Sequence, residues 1–234
     1  MNTLKHIVLI GVGLIGGSFV LDLKRLGLVD TVTGIDLDRD NLDRALERRV
    51  IDRAYTQIDA LSMHEADLAV IATPVSTFPD ICRAVRPYLN AHTVVTDVGS
   101  TKQSAVQAFR SVLPEHLSRC IAAHPIAGSD RSGALSAQFG LFQDRKLVIT
   151  PHGEEDEQAA GLVENLWRAV GAQTFRMSAE EHDAVFAAIS HMPHLAAFAY
   201  VHQIADHPDG RRYLEFAATG FRDFTRIASS HPAI

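Results

Sequence analysis

The sequence predicts an α/β fold, a doubly wound and mostly parallel sheet with helices on both faces, followed by an all-helical C-terminal domain. Three observations carry this expectation. Between Lys5 and about Pro151, short β-branched runs alternate with amphipathic helical patterns, the signature of a parallel sheet covered on both sides. The first run, Ile7-Val8-Leu9-Ile10, breaks directly into Gly11-Val12-Gly13-Leu14-Ile15-Gly16 and continues as a helix. Beyond Met177 the apolar residues recur at helical spacing and no further β-run appears.

The Gly-x-Gly-x-x-Gly stretch reads as a buried strand turning into a helix whose first N–H groups face an anion, the arrangement of a Rossmann-like fold. Gly11 permits the tight turn, Gly13 leaves the backbone open to a pyrophosphate, and Gly16 lets the helix pack on the strand, with Leu14 and Ile15 inside the turn. The positive end of the helix favours the phosphate charge. Phe19, Val20, Leu21, Leu23 and Leu26 form the helix's apolar face and Gly27 ends it. A second strand, Thr31 to Asp36, then finishes in a carboxylate 25 positions after Gly11. There a carboxylate accepts hydrogen bonds from the ribose hydroxyls and repels a 2′-phosphate, which points to NAD rather than NADP. Two observations stand beside that reading: Asp36 is also placed to cap the next helix, a role Asp38 fills equally well, and Arg39 could tolerate a 2′-phosphate.

Asp67 to Thr73 is a third strand, closing in Thr73-Pro74, small enough to admit a nicotinamide ring and equally a plain turn signal. Thr93 to Asp97 is the next strand, opening into Gly99-Ser100-Thr101-Lys102. Cys120 to Ala123 follows, opening into His124-Pro125-Ile126-Ala127-Gly128. Ligands of open α/β sheets lie outside the carboxyl ends of the strands, so these loops are expected to face the glycine turn. Lys146 to Thr150 reads as a strand, Asp156 to Val170 as a helix, and Gln173 to Met177 as a strand. The sheet domain is therefore placed at residues 1–177 and the helical domain at 178–234. Ser178-Ala179-Glu180-Glu181 is a capping box, and Pro208-Asp209-Gly210 marks a turn between helices.

Composition narrows the function classes. The 234 residues are 47% hydrophobic and 21% charged, as in a globular protein with a real core. A net charge of −6 without a basic stripe argues against nucleic acid. The uninterrupted apolar stretches are of strand length, so no membrane span or leader is expected, and the protein is expected to be cytoplasmic. Two distant cysteines form no disulfide framework, and twelve histidines show no His-Glu-x-x-His pattern, so no metal is expected.

Five segments in series, the glycine motif, Gly99-Ser100-Thr101-Lys102, His124-Pro125-Ile126-Ala127-Gly128, Ser190-His191-Met192-Pro193-His194, and residues 220–228 with Arg222 and Arg226, resemble the prephenate and arogenate dehydrogenases of tyrosine biosynthesis over essentially the whole chain. The resemblance implies an NAD-dependent oxidative decarboxylation of prephenate to 4-hydroxyphenylpyruvate, of arogenate to tyrosine, or of both. It also implies that His124 accepts the proton of the ring 4-hydroxyl, a task suited to an imidazole whose ordinary pKa is about 6.5. Ser100 is expected to orient that hydroxyl, with helix capping as its rival role. Arg226, assisted by Arg222 one turn earlier, is expected to hold a substrate carboxylate on a partly apolar face, against the plainer reading of a solvated pair beside Asp223. His191 and His194 are expected to face the cleft, His191 touching substrate or nicotinamide. Asp130 matches an acidic position near the cleft, suited to a gating salt bridge or to discriminating arogenate's ammonium group. A homodimer and inhibition by tyrosine are further implications. Family members usually continue with more helices that build the dimer interface, so either the chain is truncated after Ile234 or this form is short.

Two rival readings remain open on sequence grounds. One is another two-domain NAD(P)-dependent hydroxyacid or imine dehydrogenase or reductase; such enzymes commonly use a lysine base in the helical domain, and no lysine follows Lys146. The other is a dinucleotide-sensing module without catalysis, in which Ser100, His124 and Arg226 would have no joint role.

Overall fold

A computed structural model describes residues 3–128 and 133–229. The elements in chain order are β1 (Leu4–Ile10), α1 (Leu14–Arg25), β2 (Val29–Ile35), α2 (Arg39–Glu47), β3 (Arg53–Tyr55), β4 (Leu68–Ile71), α3 (Phe78–Val85), β5 (Val94–Asp97), α4 (Lys102–Val112), β6 (Cys120–Ile121), β7 (Ala123–Pro125), β8 (Lys146–Ile149), α5 (Glu157–Ala169), β9 (Gln173–Arg176), α6 (Ala179–Phe186), α7 (Met192–Asp206), α8 (Gly210–Glu215) and α9 (Thr219–Thr225).

Six strands form a parallel sheet in the order β3-β2-β1-β4-β5-β6. Ile10 pairs with both Ile35 and Ile71, and Ile71 with Asp97, so the carboxyl ends of β1, β2, β4 and β5 lie level. The strand order reverses between β1 and β4, and a ligand crevice opens at such a switch point. Successive side chains of β1 alternate between two cores. Ile7 and Leu9 join Phe19, Leu23 and Trp167 on one face, whereas Val8 and Ile10 join Phe78, Val95 and Phe109 on the other. Burial on both faces explains why these strands read as continuous apolar runs.

The strands placed in the sheet domain divide between two sheets, a division the sequence did not disclose. β7, β8 and β9 form a separate three-stranded sheet, with β7 antiparallel to β8 and β8 parallel to β9. The chain leaves the first sheet at Ala122, and two buried side chains take over the hydrogen bonds at the break. Ala123 N–H donates to Asp97 Oδ1 at 3.1 Å, and Lys102 Nζ donates to the Ala123 carbonyl at 2.7 Å. Lys102 and Asp97, both 0% exposed, pair with one another. The short β3 was also not expected from the sequence; it is a three-residue edge strand on β2.

From Ala179 the described residues form helices joined by short turns, as expected. Ser178 caps α6, its hydroxyl accepting from Glu181 N–H at 3.0 Å. A π turn, Ala187–His191, joins α6 to α7 just ahead of Pro193, which lacks the N–H a regular helix needs there. By length and composition the helical run Ala179–Asp206 suffices to cross a membrane, although no uninterrupted apolar stretch of that length stood out in the sequence. Ile189, Met192, Leu195, Phe198 and Tyr200 on this run are exposed, as are Phe216 and Phe224 beyond it.

Candidate active site

The turn after β1 is shaped as the glycine pattern requires. Gly11 has φ +89°, and a Cβ there would meet the Ala72 carbonyl oxygen at 2.7 Å, so both conformation and space demand glycine. A Cβ on Gly16 would lie 2.5 Å from Leu9 Cδ1 and 2.9 Å from Ala72 Cβ, which is the close packing of α1 on the sheet. Gly13 differs from both: nothing stands within 4 Å of a Cβ built on it. The backbone there is therefore open, at the N-terminus of a twelve-residue helix whose first N–H groups have no partner within the helix. Leu14 is buried and Ile15 packs against the core, so these two fasten the turn.

Asp36 closes the other side of this cradle. Its Oδ2 accepts from Val12 N–H at 2.9 Å and from Asn41 Nδ2 at 3.2 Å, and its Oδ1 accepts from Asp38 N–H at 3.0 Å. Asp38, not Asp36, caps α2, accepting from Asn41 N–H at 3.2 Å. Asn41 also donates to the Val12 carbonyl at 2.8 Å and accepts from Ala134 N–H at 2.8 Å. Arg39 pairs with Asp43 in an exposed contact at 3.3 Å. A pyrophosphate over Gly13 and a ribose beside Asp36 fit this geometry. Thr73 and Pro74 lead from β4 into a short 3-10 turn, and Thr77 Oγ1 donates to the Pro74 carbonyl at 2.7 Å and lies 2.8 Å from Thr73 Oγ1.

His124 sits in the middle of β7, opposite Val148, where the chain has just crossed between the two sheets. Its Nδ1 lies 2.8 Å from Nε2 of His182, and its ring meets Phe186 edge-on with centroids 5.1 Å apart. His182 Nδ1 lies 2.8 Å from Asp183 Oδ1. Asp183 in turn accepts from the Lys102 amide at 2.7 Å and the Gln103 amide at 3.0 Å, so a carboxylate from α6 caps α4. Burial pushes the His124 pKa down to about 3, and the Lys102, His182 and His191 charges push the same way against Asp183. The imidazole is thus held neutral. Burial also lowers His182. On Asp183, burial pushes upward, yet the bonds from the Lys102 amide, the His182 ring and the Gln103 amide outweigh it and leave the carboxyl below its usual range.

The remaining expected site residues are placed as follows. Ser100 is exposed two residues before the start of α4; Thr101 holds the N-cap position without a side-chain bond, so the capping role foreseen for Ser100 falls to Asp183. His191 ends the π turn, close enough for its charge to act on His124. His194 Nδ1 lies 2.8 Å from the Ser190 carbonyl, which engages one of its nitrogens locally. Arg222 in α9 and Arg226 at the start of the following 3-10 turn are exposed rather than set in an enclosed apolar site, and α9 packs through Phe221 and Phe224 on Tyr200 of α7, at 5.7 and 5.8 Å. Asp130 lies outside the described residues. No cluster of potential metal ligands occurs among the described residues.

Residues 19–176 match the model of the prephenate dehydrogenase nucleotide-binding domain, and residues 178–234 match that of the prephenate dehydrogenase dimerization domain. The chain belongs to the prephenate dehydrogenase family. It is 40% identical to a prephenate dehydrogenase of Bacillus subtilis over 100% of its own length and 63% of that relative's. A cyclohexadienyl dehydrogenase of Zymomonas mobilis is 32% identical over 100% of this chain and 80% of its own. Among solved structures, prephenate dehydrogenase from Aquifex aeolicus in complex with hydroxyphenyl propionate and NAD+ superposes with a TM-score of 0.90 at 33% identity, over 98% of this chain and 80% of that one. Arogenate dehydrogenase of Synechocystis gives a TM-score of 0.77 at 27% identity, over 97% and 80% respectively. The chain thus spans just under two thirds of the Bacillus relative and four fifths of the other three.

Sequence reasoning missed His182 and Asp183. A signal existed for His182: Ala179, His182 and Phe186 are the buried residues of α6. A histidine at positions i+3 and i−4 of an apolar stripe is buried, and a buried imidazole needs polar partners. Asp183 carried no such signal, because its partners are amides about 80 residues away in sequence.

Proposed function

We infer that this protein catalyses the NAD-dependent oxidative decarboxylation of prephenate, of arogenate, or of both, in tyrosine biosynthesis. The observation that carries the reading is a neutral, half-buried imidazole, His124, beside the carboxyl ends of a sheet whose glycine turn and Asp36 form a dinucleotide cradle. Family membership and the NAD-bound Aquifex relative support the same chemistry. NAD, when bound, supplies the acceptor for the hydride that leaves the hydroxyl-bearing ring carbon. Gly11, Gly13 and Gly16 would hold its pyrophosphate, Asp36 its adenosine ribose, and Thr73 with Pro74 the margin of its nicotinamide.

The residues then have a proton to manage. As the hydride leaves, the 4-hydroxyl proton passes to His124 Nε2 and the ring carbon becomes a carbonyl. Loss of the ring carboxylate as carbon dioxide returns its electron pair to the ring, which becomes aromatic, and the resulting phenolate oxygen recovers the proton from His124. No net proton is consumed. Ser100 orients the hydroxyl, Arg226 with Arg222 holds a substrate carboxylate, and His191 and His194 line the cleft. Asp130 distinguishes arogenate's ammonium from prephenate's keto group.

The same proposal covers the assembly. The apolar residues exposed along Ala179–Asp206 and α9 form the face that a second copy covers, which fits the dimerization-domain match. His182 and Asp183 within that run are engaged with the sheet domain, which favours an interface over a membrane span. The domain boundary falls at 177/178, the protein acts in the cytoplasm with Cys82 and Cys120 as buried thiols, and tyrosine, which shares the product's ring, is the candidate inhibitor. The test is direct: NAD is mixed with prephenate or with arogenate and the absorbance of the reduced cofactor is followed. Turnover with at least one substrate is expected, and no turnover with either overturns the reading.

A further inference from the structure

We propose that His182 and Asp183 are positioning residues that set the tautomer of His124 and share the charge it acquires. The proposal rests on the reading of His124 as the base, and its geometry runs through three residues in line. Asp183 Oδ1 lies 2.8 Å from His182 Nδ1, and His182 Nε2 lies 2.8 Å from His124 Nδ1. An ionised carboxylate only accepts, so His182 Nδ1 carries a proton. In neutral His182, Nε2 is then an acceptor, so His124 Nδ1 must be the donor. Neutral His124 is left with its lone pair on Nε2, the nitrogen that makes no hydrogen bond among the described residues. One carboxylate fixes two imidazoles in series, and the second is the one that must be basic toward the substrate.

Asp183 suits this end of the chain. Besides His182 it accepts from the first two amides of α4, so its charge and orientation are set by the helix that begins two residues after Ser100. It therefore links the two residues that meet the substrate hydroxyl, Ser100 through α4 and His124 through His182. His182 is fully buried, tilted against Phe186 at 4.5 Å, with both ring nitrogens engaged, so it has little freedom to rotate away. When His124 Nε2 takes the substrate proton, the Nδ1 proton shifts toward His182 Nε2 while the His182 Nδ1 proton stays against Asp183. The positive charge is then spread over two rings beside a carboxylate. The other charged groups acting on this pair are Lys102, Asp97 and His191.

Asp183→Asn removes the anion, and its amide NH2 must face either the Lys102 or the Gln103 backbone N–H, so the fixed acceptor that holds the His182 Nδ1 proton is lost and the tautomer of His124 is no longer set. The expected result is a kcat lower by about 10²–10³-fold with KM for the substrate within about threefold and NAD affinity unchanged. Asp183→Glu, which keeps the carboxylate, is expected to recover at least about tenfold of the loss. Nitrogen-15 NMR of the histidine rings in the wild-type protein without substrate reads the tautomer independently of turnover, and independently of whether Asp183→Asn folds. Protonated Nδ1 on His124 is expected there. A protonated Nε2 on neutral His124 in the wild type, or an Asp183→Asn variant that keeps kcat within about threefold, overturns the proposal. Failure of the wild type to turn over prephenate or arogenate, with the expected tautomer present, would strike the reading of the reaction and leave the positioning intact.

Discussion

Asp36, at the end of β2, accepts a hydrogen bond at 2.9 Å from the backbone N–H of Val12, inside the glycine turn that follows β1. Asp36 and the glycine turn are thereby tied together, and Asn41 closes the link by bonding both Asp36 and the Val12 carbonyl.

In the proposed NAD site, replacing Asp36 by serine would remove the charge that rejects a 2′-phosphate and the paired acceptors for the ribose hydroxyls. NAD affinity is expected to fall by about 10–100-fold, from the loss of charge-assisted hydrogen bonds, while NADP affinity holds or rises. Calorimetric titration with each dinucleotide checks this. An unchanged NAD affinity would remove Asp36 from the site.

Gly13 and Gly11 separate a binding role from a folding role. Gly13→Ala places a methyl group where the protein has none within 4 Å, at a backbone conformation alanine tolerates, so the melting temperature is expected to hold while NAD affinity falls. Gly11→Ala meets the Ala72 carbonyl at 2.7 Å with φ +89° and is expected to cost more than about 1 kcal/mol of stability. Thermal melts with and without NAD distinguish the two.

How far the sequence discloses these arrangements depends on the range of the interactions. The glycine turn, Asp36 and the strands of the parallel sheet are local in their causes: periodicity, a required positive φ, a continuous apolar run. The departure of β7 into a second sheet is not, because it depends on Asp97 and Lys102 meeting Ala123 across some 20 residues. His124 was recognisable by its motif, whereas Asp183 in α6 acquires its meaning only when α6 docks against α4. Arg222 in α9 and Arg226 just after it were read as partly enclosed because Phe221 and Phe224 flank them, yet those rings turn to Tyr200 and both arginines are exposed.

The depressed pKa of His124 sets a sign for acid stability. The unfolded imidazole protonates near pH 6.5 and the folded one only near pH 3, so between those values the unfolded state binds the extra proton and stability falls as the pH falls. The contribution is fully present above pH 6.5. At pH 5 the loss from this group is about 2 kcal/mol, with His182 and His6 acting in the same direction. Urea midpoints at pH 7.5 and pH 5 are expected to differ less in His124→Asn than in the wild type; an equal difference would contradict the assignment.

Arg226 is expected to act on substrate binding alone. Arg226→Ala should raise KM for prephenate or arogenate by about 10–100-fold with NAD affinity unchanged, and Arg226→Lys should recover only part of it, because a point charge replaces a two-pronged donor. Steady-state kinetics with varied substrate checks this. An unaltered KM would leave the carboxylate to other residues.

The central claim is that His124 is the base in a cleft whose cofactor half stands independently of it. Kinetics of His124→Asn, measured alongside NAD binding by titration, test it most directly. The account predicts that kcat falls by about 10³-fold or more while the dissociation constant for NAD stays within about twofold. Retained turnover, or loss of NAD binding together with activity, would contradict it.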